Sequence, residues 1–159
     1  MKHSLDKIDL QILNHLQKEG RAQRNNLSEI VGLSVPSVSE RMRKLEENGL
    51  IQGYHAELNS KLFKFDITAF VFVEVDGSVN YPNFVEKASG ESEVLECHSI
   101  TGDGSHLLKI RTENTASFEE LLSRIQSWQG VKKSRSNIVL STQKETHNIP
   151  IEKTIHPEK

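Results

Sequence analysis

Apolar residues change their period near residue 60 of this 159-residue chain, and that change limits the fold more than any single motif. Before it, they recur every three or four residues, the spacing that buries one side of a helix. After it, β-branched and aromatic runs alternate with shorter helical patterns. Such a shift divides the chain into a helical domain and a second domain of strands and helices, giving an α+β protein. At 35% hydrophobic and 26% charged residues, the composition closes a core under a polar surface and excludes a wholly disordered chain. The longest apolar run, Ala69 to Val73, falls far short of the roughly 20 residues that cross a bilayer, so no membrane partner is expected. No signal-peptide pattern opens the sequence, and the single cysteine, Cys97, excludes an intrachain disulfide and a cysteine zinc cluster. A reducing, cytoplasmic setting is expected.

In the helical part, Leu5, Ile8, Ile12 and Leu16 form one apolar face. Asp6 suits an N-cap, with Asp9 three residues on, and Gly20 ends the helix. A second, short helix is expected to start at an Asn26 cap and stop at Gly32. A third runs from about Val35 to Asn48, with Ser34 as its cap and Pro36 in its first turn. Two helices joined by the turn Gly32-Leu33-Ser34 make a helix-turn-helix, whose second member can enter the major groove of double-stranded DNA. Val35, Val38, Met42 and Leu45 fall within about 80° at 100° per residue, while Ser37, Glu40 and Lys44 point oppositely, flanked by Arg41 and Arg43. A solvated face on an ordinary three-helix core explains the same pattern. The net charge of −2 conceals a local excess, since residues 20–45 hold five basic side chains against two acidic ones.

Leu50 to Leu58 reads as a strand leaving this domain, with a hinge around Gly53. Beyond it come a strand over Ile67 to Val75, a helix over Tyr81 to Ser89, and strands over Val94 to Ile100 and Leu107 to Arg111 around the hairpin Thr101-Gly102-Asp103-Gly104-Ser105. A helix over Ser117 to Trp128 and a strand over Val131 to Ser141 complete the series. The order β-α-β-β-α-β is that of ferredoxin-like domains. The expected division is therefore a DNA-binding domain over 1–53, a hinge strand and linker over 54–65, a second domain over 66–142 and a tail over 143–159, anchored by Ile149 and Ile151.

The run Leu5-Asp6-Lys7-Ile8-Asp9, Gly20-Arg21, Val31-Gly32-Leu33-Ser34, Arg41, Leu45-Glu46, Gly49-Leu50-Ile51 and Gly53-Tyr54 resembles the amino-terminal half of the Lrp/AsnC (leucine-responsive, feast/famine) transcriptional regulators. Thr101-Gly102-Asp103 with Leu107-Leu108, and Gly130-Val131 with Ile138-Val139-Leu140, resemble that family's ligand-sensing half. The resemblance implies a winged helix-turn-helix joined to a ferredoxin-like ligand-sensing and oligomerisation domain. It also implies homodimers that assemble into octamers, DNA binding, and a small-molecule effector, an amino acid. The family commonly shows an aspartate and then an aromatic residue where this chain has Ser105 and His106. That puts the usual effector contact in doubt, because a carboxylate accepts from an α-ammonium group in a charge-assisted bond and a serine does not. Gly104 is expected to loosen the hairpin.

The candidate DNA contacts are Arg21, Ser34, Ser37, Glu40, Arg41, Arg43 and Lys44, with Gln23 beside Arg21 as a backbone contact. Ser34 is first of all a helix cap, and Glu40 is suited to accept from a cytosine amino group. The candidate effector contacts are Thr101, Gly102, Asp103, Ser105 and His106. Seven histidines include no pair at i, i+4 and none at ligand spacing with the cysteine, so neither a metal nor a cofactor is expected. Cys97 reads as a buried apolar residue, and no nucleophile elbow or phosphate-binding glycine loop marks an enzyme. Two other readings share the architecture: a haem-pathway decarboxylase holding a tetrapyrrole between its domains, and an orphan regulator with a vestigial effector pocket.

Overall fold

The structure, a computed structural model, describes residues 5–151; the first four residues of the expected DNA-binding domain and residues 152–159 of the expected tail lie outside it. The chain forms two compact units, one holding the residues up to Glu57 together with those from Lys144, the other running from Leu58 to Gln143. The tail therefore belongs to the helical unit. The Ile149 amide donates to the Gln17 side chain at 2.7 Å, and the Gln17 amide donates back to the Ile149 carbonyl at 3.2 Å.

Three helices build the first unit: α1 (Lys7–Lys18), α2 (Arg24–Val31) and α3 (Val35–Glu47). α1 starts where its sequence demands. The Asp6 carboxylate accepts from the Asp9 amide at 2.8 Å while Asp9 accepts from the Asp6 amide, a reciprocal cap that satisfies two otherwise orphaned donors. α2 begins two residues ahead of the expected Asn26 cap, since the Leu27 amide already donates to the Gln23 carbonyl and no side chain caps the end. Gly32 then takes φ +67°, a left-handed turn open to glycine without strain. Ile12, Leu16, Leu27, Val38, Met42 and Leu45 make the core.

The strand expected over Leu50 to Leu58 does not form. The amides of Leu50 and Ile51 both donate to the Leu45 carbonyl, folding Ile51 back onto the helical core, and no described residue of this stretch joins a ladder. β-Branched character cannot make a strand without a partner to receive its hydrogen bonds.

The second unit is an antiparallel sheet in the order β2-β3-β1-β4, formed by β1 (Ile67–Val75), β2 (Val94–Ser99), β3 (His106–Thr112) and β4 (Val131–Ile138), with α4 (Tyr81–Gly90) and α5 (Thr115–Gln126) between strands. This is the ferredoxin-like order. α5 starts earlier than Ser117 because Asn114 caps it, accepting from the amides of Ala116 and Ser117. β4 ends short of Ser141, after which only the Val139 amide still reaches β1, at the Thr68 carbonyl. Alternation along β1 buries Ala69, Val71, Val73 and Val75 with Phe84, Leu108, Leu121 and Ile125, and turns Phe70, Phe72 and Glu74 to the opposite face.

Candidate nucleic-acid interface and ligand cleft

α3 presents Ser37, Glu40, Arg43 and Lys44 to solvent while Val38, Met42 and Leu45 are buried. Its cap, Ser34, accepts from the Ser37 amide at 3.3 Å and lies 2.8 Å from the Ser37 hydroxyl, so both serines mark the exposed start of the helix. Arg43 donates to Glu40 from Nε at 2.9 Å and from Nη2 at 2.7 Å, and to Glu47 from Nη1. Lys44 stands 3.7 Å from the same Glu40. Chiefly through the Arg43 hydrogen bonds, the Glu40 carboxyl is held below its usual range.

Arg41 departs from expectation. Its Nη1 donates to Asp9 at 2.7 Å and to Asp6 at 2.8 Å, and Asp9 is buried. The hydrogen bond to Asp9 is the main cause that raises the guanidinium's pKa. For Asp6, burial pushes the pKa up, but the Asp9 amide and Arg41 outweigh it and the net shift is downward. Arg41 is thus the tie between α1 and α3 rather than a candidate for the groove. Arg21 and Gln23 are exposed between α1 and α2. Arg21 also lines a cavity of about 210 Å³ with Arg24, Glu46 and Tyr54, none of them among the candidate DNA contacts. The Tyr54 hydroxyl donates to Glu46 at 2.9 Å, and burial together with that carboxylate pushes its pKa up to about 12.

In the second unit, a cleft of about 600 Å³ opens between the hairpin and the sheet face that carries Phe72, Glu74, Lys133 and Arg135. Gly102, Asp103, Gly104 and Ser105 line it; Thr101 is exposed and does not. Arg135 lies 5.0 Å over the Phe72 ring and donates to Asp103 at 3.0 Å. Glu74 and Lys133 face each other in the β1–β4 register yet form no salt bridge among the described residues. Strand alternation could have indicated these four side chains, since residues two apart on β1 and on β4 share a face.

His106 is not in the cleft. It is fully buried against Tyr81 and Phe84, with ring centroids 4.8 and 4.6 Å away, and burial pulls its pKa down. Its Nδ1 lies 2.9 Å from the Ser105 oxygen, which also accepts from the Val75 amide at 3.0 Å and donates to the Val73 carbonyl at 3.2 Å. One hydroxyl proton serves either Val73 or His106, and the imidazole tautomer sets which. Nε2 is buried without a hydrogen-bond partner among the described residues. The Ser105 hydroxyl is then saturated by the fold. Gly104 is not slack either: at φ +115° a Cβ would stand 3.0 Å from the Val73 carbonyl oxygen, so the hairpin is pressed against β1.

Two family models cover most of the chain: a winged helix-turn-helix DNA-binding model over residues 5–52 and the Lrp/AsnC ligand binding domain over residues 68–149. The chain belongs to the Lrp/AsnC family. It is 35% identical over 151 residues to the HTH-type transcriptional regulator FL11 of Pyrococcus abyssi, covering 95% of this chain and 99% of that one. To the leucine-responsive regulatory protein of Escherichia coli K12 it is 37% identical over 152 residues, 92% of each chain. Among solved structures, a transcriptional regulator of Neisseria meningitidis in complex with L-methionine superposes with a TM-score of 0.91 at 30% identity, over 96% of this chain and 100% of that one. The feast or famine regulatory protein of M. tuberculosis complexed with L-methionine gives 0.86 at 32%, over 92% and 99%. This Lrp/AsnC protein is a DNA-binding transcriptional regulator with a ligand-binding domain. The relatives named here are transcriptional regulators, and among the described residues no helix is long and apolar enough to cross a membrane.

Proposed function

We propose that this regulator reads duplex DNA with the exposed side of α3, using Ser34, Ser37, Glu40, Arg43 and Lys44 in the major groove and Arg21 on the backbone, and that a zwitterionic amino acid bound in the sheet-face cleft modulates it in the cytoplasm. The DNA reading is carried by one observation: the exposed residues of α3 are those its core packing leaves over, on a helix whose family binds DNA. For the effector, Lys133 and Glu74 lie opposite each other without pairing, so an α-carboxylate and an α-ammonium group can each find a counter-charge, and Phe72 offers an apolar surface. Methionine in two structural neighbours supports that ligand class. The sheet face carrying Phe70 and Phe72 is covered by neither helix, which supports a homodimer through it, with octamers as the next assembly.

Calorimetric titration with L-methionine and a panel of amino acids tests the effector assignment. Because a hydrogen bond between charged groups contributes about 1.5–3 kcal/mol, Lys133→Ala or Glu74→Ala should weaken binding by about tenfold or more. Equal affinity in both variants would move the effector elsewhere, and no heat with any amino acid would favour a vestigial pocket. Sedimentation of the wild-type chain at micromolar concentration tests the assembly, where a monomer would contradict it.

A further inference from the structure

The three basic side chains on the middle of α3 are all engaged by carboxylates, but in two different ways. Arg41 is fixed to the buried Asp9 of α1. Arg43 is held by its own helix: Glu40, one turn before, takes the Nε and Nη2 edge, and Glu47, one turn after, takes Nη1. Three of the five N–H donors with which a guanidinium grips a phosphate are therefore taken, the whole Nε/Nη2 edge among them. The three side chains are about half exposed, at 49% for Glu40, 52% for Arg43 and 58% for Glu47. Exposed ion pairs of this kind contribute little to folding stability. Such a cluster is weak enough to open for a better partner and strong enough to bias which partner that is.

We propose that Glu40 and Glu47 form a collar that keeps Arg43 off the backbone of arbitrary duplex and yields it only where a base edge offers Glu40 a donor. This deepens the reading that the exposed side of α3 meets DNA, and rests on it. Random sequence presents phosphates, which must displace two carboxylates while approaching their negative charge. A cytosine amino group in the major groove is instead a donor that a glutamate accepts, so Glu40 exchanges one partner for another and Arg43 becomes free for a phosphate or a guanine. The carboxylates lower affinity for every sequence and lower it least for the correct one. Specificity is the difference between those two losses.

The test measures binding by fluorescence anisotropy to a random-sequence duplex and to a duplex that the wild-type protein selects from a randomised pool, across a salt series. Glu40→Gln with Glu47→Gln should tighten binding to the random duplex and reduce the preference for the selected one. The slope of log affinity against log salt should steepen by about 0.9 per bound protomer, so the fall between about 50 and 200 mM salt grows three- to fourfold for each. Adding Arg43→Ala to that double variant should abolish the gain. If the triple variant keeps most of it, the gain comes from lifted repulsion or from Lys44 released by the same Glu40, and the collar on Arg43 is overturned. If the double variant shows no gain while Arg43→Ala alone weakens selected-site binding, the collar is overturned and the α3 reading stands. Arg43→Ala without effect on the selected duplex would overturn the α3 reading itself. Circular dichroism on each variant confirms folding, which these exposed substitutions should leave intact.

Discussion

Each unit contains one polar cluster that the sequence marks as a ligand contact and the structure uses as an internal fastening. In the helical unit it is Arg41 on Asp6 and Asp9; in the sheet unit it is Ser105 between Val73, Val75 and His106. The first is charged and joins two helices across 32 residues of sequence. The second is neutral and seats a hairpin on a strand. A charge pair fails when one partner is removed, because the other is left buried without its counter-charge, whereas a neutral hub fails when its hydrogen bonds lose a partner or when a proton arrives.

Arg41→Ala should have the largest effect. It takes the Arg41 charge from the buried Asp9 carboxylate, which keeps the Asp6 amide among its donors, and should destabilise the helical unit by about 2–4 kcal/mol, below the cost for a fully buried pair because Arg41 itself is partly exposed. The melting transition read by circular dichroism should split, while the fluorescence of Trp128, buried in the core of the sheet unit, keeps its midpoint. An unshifted helical transition would show that Arg41 fastens nothing.

Ser105→Ala should act in the opposite place. It removes the acceptor of the Val75 amide and the hydrogen-bond partner of His106 Nδ1, a loss of about 1–3 kcal/mol, and here the Trp128 transition should move. A loss confined to the helical signal would reverse the comparison.

Acid separates the two clusters further. The folded His106 resists protonation while the unfolded one takes a proton near its ordinary 6.5, so its contribution is complete above that pH and is lost as pH falls through the lower folded value. Asp6 behaves alike in sign but below its ordinary 3.8, as pH falls through its depressed folded pKa. The sheet unit should therefore lose stability as pH falls below 6.5, before the helical fastening responds. His106→Phe should flatten that dependence at little cost, because Ser105 keeps its bonds to Val73 and Val75. A wild-type Trp128 midpoint constant from pH 7 to 5 would remove His106 as the cause. Smallest of all, Gln17→Ala should change stability within about 0.5 kcal/mol, since its bonds to Ile149 are exposed.

What the sequence disclosed follows the range of the interaction responsible. The Asp6 cap, the Ser34 cap and the Gly32 turn are set by neighbours within four residues, and all are legible. Helical angle and the family resemblance both place Arg41 at the groove, and nothing local reveals a carboxylate 32 residues upstream. The stretch after Leu50 has the composition of a strand and lacks only a partner, which composition does not record. Ser105 and His106 lie side by side on a hairpin, yet one edges the cleft and the other enters the core, as alternation at the start of β3 requires. Glu74, Lys133 and Arg135 escape the sequence because the expected site is confined to one loop, while the cleft is shared by β1, the start of α4, the hairpin and β4.

The bracket between Gln17 and Ile149 spans 132 residues, with the entire sheet unit in between. During synthesis, α1 to α3 have their whole core in hand before β1 emerges, whereas this bracket waits until the sheet has been translated. Closing so long a loop costs only a logarithm of its length, yet it comes at the slow, late end of folding. A ribosome therefore releases a helical unit that is packed early and buckled last, and an arrest within the sheet would leave it packed but unbuckled.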